Sequence, residues 1–318
     1  DLSVRNSANN IFHMQVENNK RGIDVFTRKC KEYNIELNAA LLCLEHTGLY
    51  NVVALDQFYR LGYNVWLENA IQIKRSLGLT RGKNDKIDAE RISEYAFRFA
   101  DKVMLWEPAR DQLVQIKQLT TLRRRLIDVK VQLKTPLKED KVFLTRARYS
   151  QLSKFSQKPL EAIEQQINQV EREIRVVIQA DQHLSELFDI VTYVDGVGEV
   201  LFWEMVTTTN EFKRITDPRK YACYAGIAPF EHTSGTSIRG KNRVSRMGNK
   251  STKRILHLAA MSAIVMKGEL HDYYNRKVTN GKNKMATLNA VRNKIIHRVF
   301  ACVRDGRKYE KIYTNSLS

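Results

Sequence analysis

Two groups of residues in this sequence could act on a phosphodiester, one acidic and one basic. Glu45 follows the apolar run Leu41-Leu42-Cys43-Leu44, so it stands at the C-terminal end of the strand that this run predicts. Asp85 and Asp88 lie three apart at the start of a helical stretch, which puts both on one side of a helix. Asp1 precedes the first strand-like stretch. Carboxylates at strand ends and on a helix face can together seat two divalent cations about 4 Å apart, which activate a nucleophile and stabilise a leaving oxygen. Asp85 and Asp88 also read as first-turn acids complementing the helix dipole. Glu45 is harder to explain structurally, because a carboxylate beside a buried strand is costly unless paired or metal-bound.

The basic group is the segment 234–254, SGTSIRGKNRVSRMGNKSTKR, which holds Arg239, Lys241, Arg243, Arg246, Lys250, Lys253 and Arg254 and no acid. Serines and glycines are interleaved with these cations. The composition predicts a loop wrapped against phosphates, with its cations offsetting charge that develops around an attacking hydroxyl. A basic loop that binds nucleic acid without chemistry is the plainer alternative. Upstream, Val194-Asp195-Gly196-Val197-Gly198-Glu199 places Gly-x-Gly between apolar stretches, like a helix-hairpin-helix element. There Gly196 and Gly198 would let backbone N–H groups approach a phosphate at a helix N-terminus, or simply connect two helices. His46, His232 and His257 read first as hydrogen-bonding structural residues; His46 and His232 are also near enough in sequence to the candidates to carry a proton.

The elements that must position these residues fall into three stretches. Residues 1–108 alternate strand-like and helix-like patterns: strands over 11–16, 39–44 and 63–67, helices over 21–33, 52–61 and 86–99. That alternation predicts an α/β domain with a layered sheet. Residues 109–189 are nearly free of glycine. Leu113, Ile116, Leu119, Leu122, Leu126, Val129 and Leu133, then Leu160, Ile163, Ile167, Val170, Ile174 and Val177, recur at three- and four-residue steps. This narrow seam predicts an antiparallel helical hairpin, an intersubunit coiled coil or two helices of one bundle. Residues 190–318 predict a mainly helical domain.

Bulk composition selects the partner. The chain has 318 residues, 43% of them apolar, and a formal net charge of +18. Such a charge calls for a polyanion, either nucleic acid or an anionic membrane. No run of about 18 apolar residues and no signal pattern occurs, which favours nucleic acid and a cytoplasmic, nucleoid-associated location. Cys30, Cys43, Cys223 and Cys302 form no C-x-x-C pair and read as small buried residues in a reducing compartment, not as a zinc site.

With these residues in place, the chain resembles the DEDD transposases, the family of Piv-type DNA invertases and bridge-RNA-guided insertion-sequence recombinases. The resemblance is carried by Asp1, by L-E-H-T-G around Glu45, by K-N-D-K-I-D-A-E-R-I around Asp85 and Asp88, and by V-D-G-V-G-E at 194–199. It continues through F-K-R-I-T-D-P-R-K-Y-A-C-Y-A-G-I-A-P at 212–229, T-S-G at 233–235, R-M-G-N-K-S-T-K-R-I-L at 246–256, H-D-Y-Y-N-R-K-V-T-N-G-K at 271–282 and V-R-D-G-R-K-Y at 303–309. It implies an RNase H-like (RuvC-like) α/β domain, a long helical coiled-coil arm and a mainly α-helical C-terminal domain. It further implies Mg²⁺ (or Mn²⁺) at Asp1, Glu45, Asp85 and Asp88, and Ser234 as the nucleophile that forms a covalent phosphoserine link to DNA. Implied partners are double-stranded donor and target DNA, a noncoding bridge RNA, and copies of the chain in a homodimer or homotetramer joined through the arm. The family places a strand segment ahead of its first aspartate. Asp24 in G-I-D-V is a rival for that position, but it leaves too few residues before Glu45 for the intervening elements. Ser237, Ser245 and Ser251 share the basic stretch with Ser234. Two other functions compete: a two-metal, junction-resolving nuclease without a covalent intermediate, and a non-catalytic nucleic-acid-organising protein.

Overall fold

A computed structural model of the chain describes residues 1–7, 9–76, 78, 84–234, 238–244 and 247–310. It separates into two compact units, Asp1–Pro108 and Ala109–Ser318.

In the first unit, β1 (Leu2–Arg5) pairs antiparallel with β2 (Asn10–Met14). Helix α1 (Lys20–Glu32) follows, capped by Asn19, whose side chain accepts from Gly22 N. Strand β3 (Leu41–Glu45), helix α2 (Asn51–Arg60) and strand β4 (Asn64–Glu68) form a right-sized βαβ unit with β3 and β4 parallel, and α3 (Ala70–Ser76) and α4 (Asp85–Arg98) complete the unit. Alternation explains the continuous apolar run of β3. Leu42, Leu44 and Val65 face a core with Ile23, Phe26, Leu55 and Phe58 of α1 and α2, whereas Leu41, Cys43 and Trp66 face Ile73, Tyr95 and Ala96 of α3 and α4.

Two expectations need correction here. No single layered sheet joins the strands; among the described residues they pair two by two. β3, expected to be fully buried on both faces, is half-buried along its whole length. Helices cover both its faces, but a sheet two strands wide leaves edges open. Residues 105 and 106 cover one of them, through a Trp66–Leu105 bridge and a 2.7 Å bond from Trp106 N to Val65 O.

The second unit opens with α5 (Asp111–Phe143) and α6 (Arg146–Gln179). Ion pairs Arg123–Glu171 (2.7 Å) and Lys130–Glu164 (2.6 Å) link residues whose numbers have the same sum, the register of an antiparallel pair. The apolar seam does not run its length evenly. At the base, Leu113, Ile116, Val170, Ile174 and Val177 are buried in the main core; farther out, Leu122, Val129 and Leu133 are exposed, and Val142, Phe143 and Phe155 more so. The remaining elements are α7 (Gln182–Thr192), α8 (Glu199–Thr209), α9 (Pro218–Tyr224), the antiparallel hairpin β5 (Pro229–Ser234) and β6 (Ile238–Val244), α10 (Lys250–Val265), α11 (Glu269–Thr279) and α12 (Lys284–Asp305). One core joins α5 to α12, centred on Phe202, Trp203, Tyr221, Leu256, Val291 and Ile295.

An ion cluster fixes the start of this unit. Arg110 donates to Asp181 (2.6 Å), the N-cap of α7, and to Glu211, whose side chain is only 1% exposed. Burial alone would raise the Glu211 carboxyl, but Arg110 and Lys213 hold it below its ordinary value. Asn210, Glu211 and Phe212 all take left-handed backbone, a costly conformation for residues with a Cβ and one that this cluster helps to hold. Of the four cysteines, Cys30 and Cys302 are buried and Cys43 half-buried; Cys223, on the outward side of α9, is exposed, against the expectation of a buried residue. Among the described residues no helix is long and apolar enough to cross a membrane.

Candidate functional site

Glu45 ends β3 and lies in register with Glu68, which ends β4. Parity puts both carboxylates on the sheet face that α4 covers. Glu68 accepts a 3.0 Å hydrogen bond from the Tyr95 hydroxyl of α4. Burial, and then this bond, push the Tyr95 hydroxyl up to about 12. Cys43, one pleat before Glu45, is likewise pushed up to about 12 by burial and by the Glu68 charge. Neither Glu68 nor Tyr95 stands out in the sequence as a site residue. The signal for Glu68 was present: Leu-Leu-Cys-Leu-Glu and Asn-Val-Trp-Leu-Glu are two strands with the same ending.

Asp85 and Asp88 occupy the first turn of α4, where Asn84 caps the helix through a bond from Ile87 N. Asp88 pairs with Arg91 at 3.2 Å, and Asp1 pairs with His13 across the β1–β2 ladder at 2.8 Å. Asp24 lies within α1, exposed, away from any strand end. Thus the strand pairing brings Glu45 to Glu68, not to a ring of four carboxylates. Among the described residues no group of three or more His, Cys, Asp and Glu side chains is gathered to hold a metal ion.

The basic segment, expected as a loop, is instead a β-hairpin followed by a helix. Ser234 is the last residue of β5, in register with Ile238; Thr233 is opposite Arg239 and Phe230 opposite Arg243, with a register shift between Phe230 and His232. Arg239, Lys241 and Arg243 all lie on β6. Ser237, Ser245 and Arg246 lie outside the described residues. Lys250, Lys253 and Arg254 open α10, whose first turn contains no acid, and with His257 they follow i, i+3, i+4, i+7 spacing along one stripe.

The base of the hairpin is anchored by close backbone contact. A methyl group at Gly248 would overlap Cα and N of Gly226, so the Y-A-G and M-G-N segments interlock only as glycines. Asn249 N donates to Tyr224 O at 2.8 Å, its Nδ2 to the Tyr224 hydroxyl at 2.9 Å, and its Oδ1 caps α10 by accepting from Ser251 N and Thr252 N. Thr252, on the opposite side of α10 from the basic stripe, donates to Glu204 of α8.

The Gly-x-Gly turn divides in two. Gly196, with φ of +82°, packs so closely on α10 that a Cβ would overlap Ala259 O and the Ala263 side chain, which accounts for the glycine by helix packing. Gly198 precedes α8 in open space. The adjacent Glu199 is held by Arg175 at 2.7 Å, so a carboxylate already lies near that helix start.

Comparison with known proteins meets both units. A DEDD-type transposase family model matches residues 2–145, and the model of the transposase IS116/IS110/IS902 family matches residues 189–275. A pilin gene-inverting protein of Moraxella bovis is 22% identical over 300 residues, covering 92% of this chain and 89% of that protein; the Moraxella lacunata protein gives the same figures. An insertion element IS110 protein of Streptomyces coelicolor is 30% identical over 151 residues, 48% of this chain and 36% of its own length.

Proposed function

The chain belongs to the DEDD transposases of the IS110/IS116/IS902 type and is an enzyme of DNA transposition and recombination, and from that premise we propose that Ser234 is its nucleophile. The Ser234 Oγ attacks the phosphorus of a DNA phosphodiester. A serine–phosphate bond forms, the bond to the leaving DNA hydroxyl oxygen breaks, and the serine proton passes to a nearby base. Attack by a DNA hydroxyl on that phosphoserine reverses the step and joins new strands. The observation that carries this reading is the register of the hairpin. It ends β5 on Ser234, sets Arg239, Lys241 and Arg243 on the partner strand, and leads directly into the cationic start of α10. Cations there offset charge as the phosphorus becomes pentavalent.

The reading divides the chain into a carboxylate-bearing part over 1–108, an arm over 109–189 and a serine-bearing part over 190–318. Asp1, Glu45, Asp85 and Asp88, once drawn together, would hold Mg²⁺ or Mn²⁺, which supplies charge neutralisation at phosphate. Donor and target DNA are the substrates, and a noncoding bridge RNA selects them. Copies of the chain assemble as a dimer or tetramer through the arm, a role supported by the exposed Phe143 and Phe155 (83% and 71%). The test is to incubate the protein with donor DNA, denature and run a gel. A DNA–protein band that survives denaturation and disappears with Ser234→Ala is expected. Cleaved DNA with no attached protein would replace this mechanism by two-metal hydrolysis.

A further inference from the structure

Arg292 of α12 is 5% exposed and, among the described residues, has no carboxylate partner. Its Nη2 donates to Nδ1 of His257 at 2.6 Å and its Nη1 to Oδ1 of Asn289 at 3.3 Å, while Nε, fully buried, has no hydrogen-bond partner among the described residues. Other arginines of this unit that lie in or against the core are answered by acids: Arg110 by Asp181 and Glu211, Arg123 by Glu171, and Arg298, two turns farther along α12, by Glu269 at 2.6 Å. A guanidinium buried among neutral acceptors is expensive unless an anion comes to it. Burial holds the Arg292 guanidinium below its ordinary value, and burial, then the Arg292 charge, does the same to His257.

Arginine only donates, so Nδ1 of His257 must accept, and the imidazole proton is placed on Nε2. This donor therefore points away from Arg292, on a half-exposed ring at the end of the stripe of Lys250, Lys253 and Arg254. The third partner ties the pair to the hairpin: Asn289 Nδ2 donates to Ile227 O at 2.8 Å, two residues before β5 begins. We propose that His257 is a phosphate-contacting residue, positioned and made electropositive by Arg292, which receives a nucleic-acid backbone phosphate beside the base of the hairpin that carries Ser234. The basic stripe draws the phosphate in, the Nε2–H of His257 donates to it, and the fixed charge of Arg292 lies behind the ring, poorly screened because it is buried. Arg292 is a positioning residue in this arrangement. The inference rests on the nucleic-acid reading of the preceding subsection.

Its test uses the full chain labelled with ¹⁵N-histidine, titrated with inorganic phosphate at constant ionic strength, with His257→Asn identifying the signal. His257 is expected as the Nε2–H tautomer, with a signal that moves saturably on adding phosphate. Arg292→Met keeps the volume and removes the charge. It should release the tautomer preference, weaken the phosphate response several-fold and lower the salt slope of DNA-duplex binding by about one. Should Arg292→Met fail to fold, His257→Phe, at a half-exposed position, removes the donor and should weaken DNA-duplex binding several-fold with little change in salt slope, because the Arg292 charge stays. A His257 signal unmoved by phosphate, a response in Arg292→Met equal to the parent's, or parental duplex affinity in His257→Phe overturns the proposal. Failure of the wider reading looks different: a parent protein that binds no DNA refutes that reading, while the phosphate titration still decides the site.

Discussion

The acidic and basic candidates rest on very different scaffolds. In the N-terminal unit Asp1 and Glu45 stand at the ends of strands four or five residues long, in two-stranded pairs, Asp85 and Asp88 open α4, and no residue of β3 is fully buried. In the C-terminal unit the cations are borne by a hairpin and by α10, whose inner side (Thr252, Leu256, Ala259, Ala260 and Ala263) is buried in a core that draws on eight helices, α5 to α12. The base of that hairpin is locked by Gly226 against Gly248 and by the Asn249 cap. The basic candidates thus sit beside the deeper of the two cores.

The largest effects should separate chemistry from binding. Glu45→Ala, Asp88→Ala and Ser234→Ala should each lower strand cleavage by at least about a thousandfold while leaving DNA affinity nearly unchanged. Near-parental cleavage in Glu45→Ala or Asp88→Ala would remove the acidic region from the mechanism. If serine and carboxylates meet between subunits, mixing Ser234→Ala with Glu45→Ala protein should restore part of the activity through hybrid sites. Ser237→Ala should still form some adduct.

Next in size is the support of the basic region. Arg110→Ala leaves Glu211 buried without its main partner and should cost about 3 kcal/mol, the low end for a broken buried pair because Arg110 itself is more than a third exposed. The folded-state carboxyls of Asp181 and Glu211 lie below their unfolded values, so the stability they contribute is present above the ordinary carboxylate range and is lost as pH falls through the lowered values. Denaturant midpoints of parent and Arg110→Ala should therefore differ widely at neutral pH and converge below roughly pH 4. A constant difference across that range would show that the cluster is not electrostatic. Gly248→Ala should cost about 1–3 kcal/mol by forcing Gly226 away, and a midpoint equal to the parent's would show that the hairpin base is not locked. The smallest expected change is in binding: Arg243→Ala or Arg246→Ala should reduce the salt slope by about one for each lost phosphate contact, and an unchanged slope would detach these side chains from the DNA.

Helical periodicity made α1, α2 and α4 legible from sequence within a few residues, whereas the seams at 113–133 and 160–177 marked only part of α5 and α6, whose outer turns are not buried. The hairpin was not legible. Ile238, Gly240, Asn242 and Val244 alternate with Arg239, Lys241 and Arg243, so neither side of β6 carries an unbroken apolar pattern, and the glycines and serines imitate a loop. Glu68 was hidden for another reason: its closeness to Glu45 exists only once β3 and β4 pair in register. Arg292 sits in Ala-Val-Arg-Asn-Lys-Ile-Ile, where a cation on a helix reads as a solvent-facing residue. It is buried where α12 packs into the helical core, with His257 of α10 against it. Gly196 shows the converse, a motif residue explained by a neighbour that no local pattern could reveal.

The central claim, that the hairpin delivers Ser234 to a DNA phosphate, is tested most directly by identifying the residue that carries DNA in the covalent adduct. The full chain is incubated with donor DNA, denatured and digested with protease and nuclease, and the nucleotide-bearing peptide is sequenced by mass spectrometry. The account predicts the nucleotide on Ser234. A nucleotide on Ser237, Ser245 or Ser251, or no nucleotide-bearing peptide beside fully cleaved DNA, would contradict it.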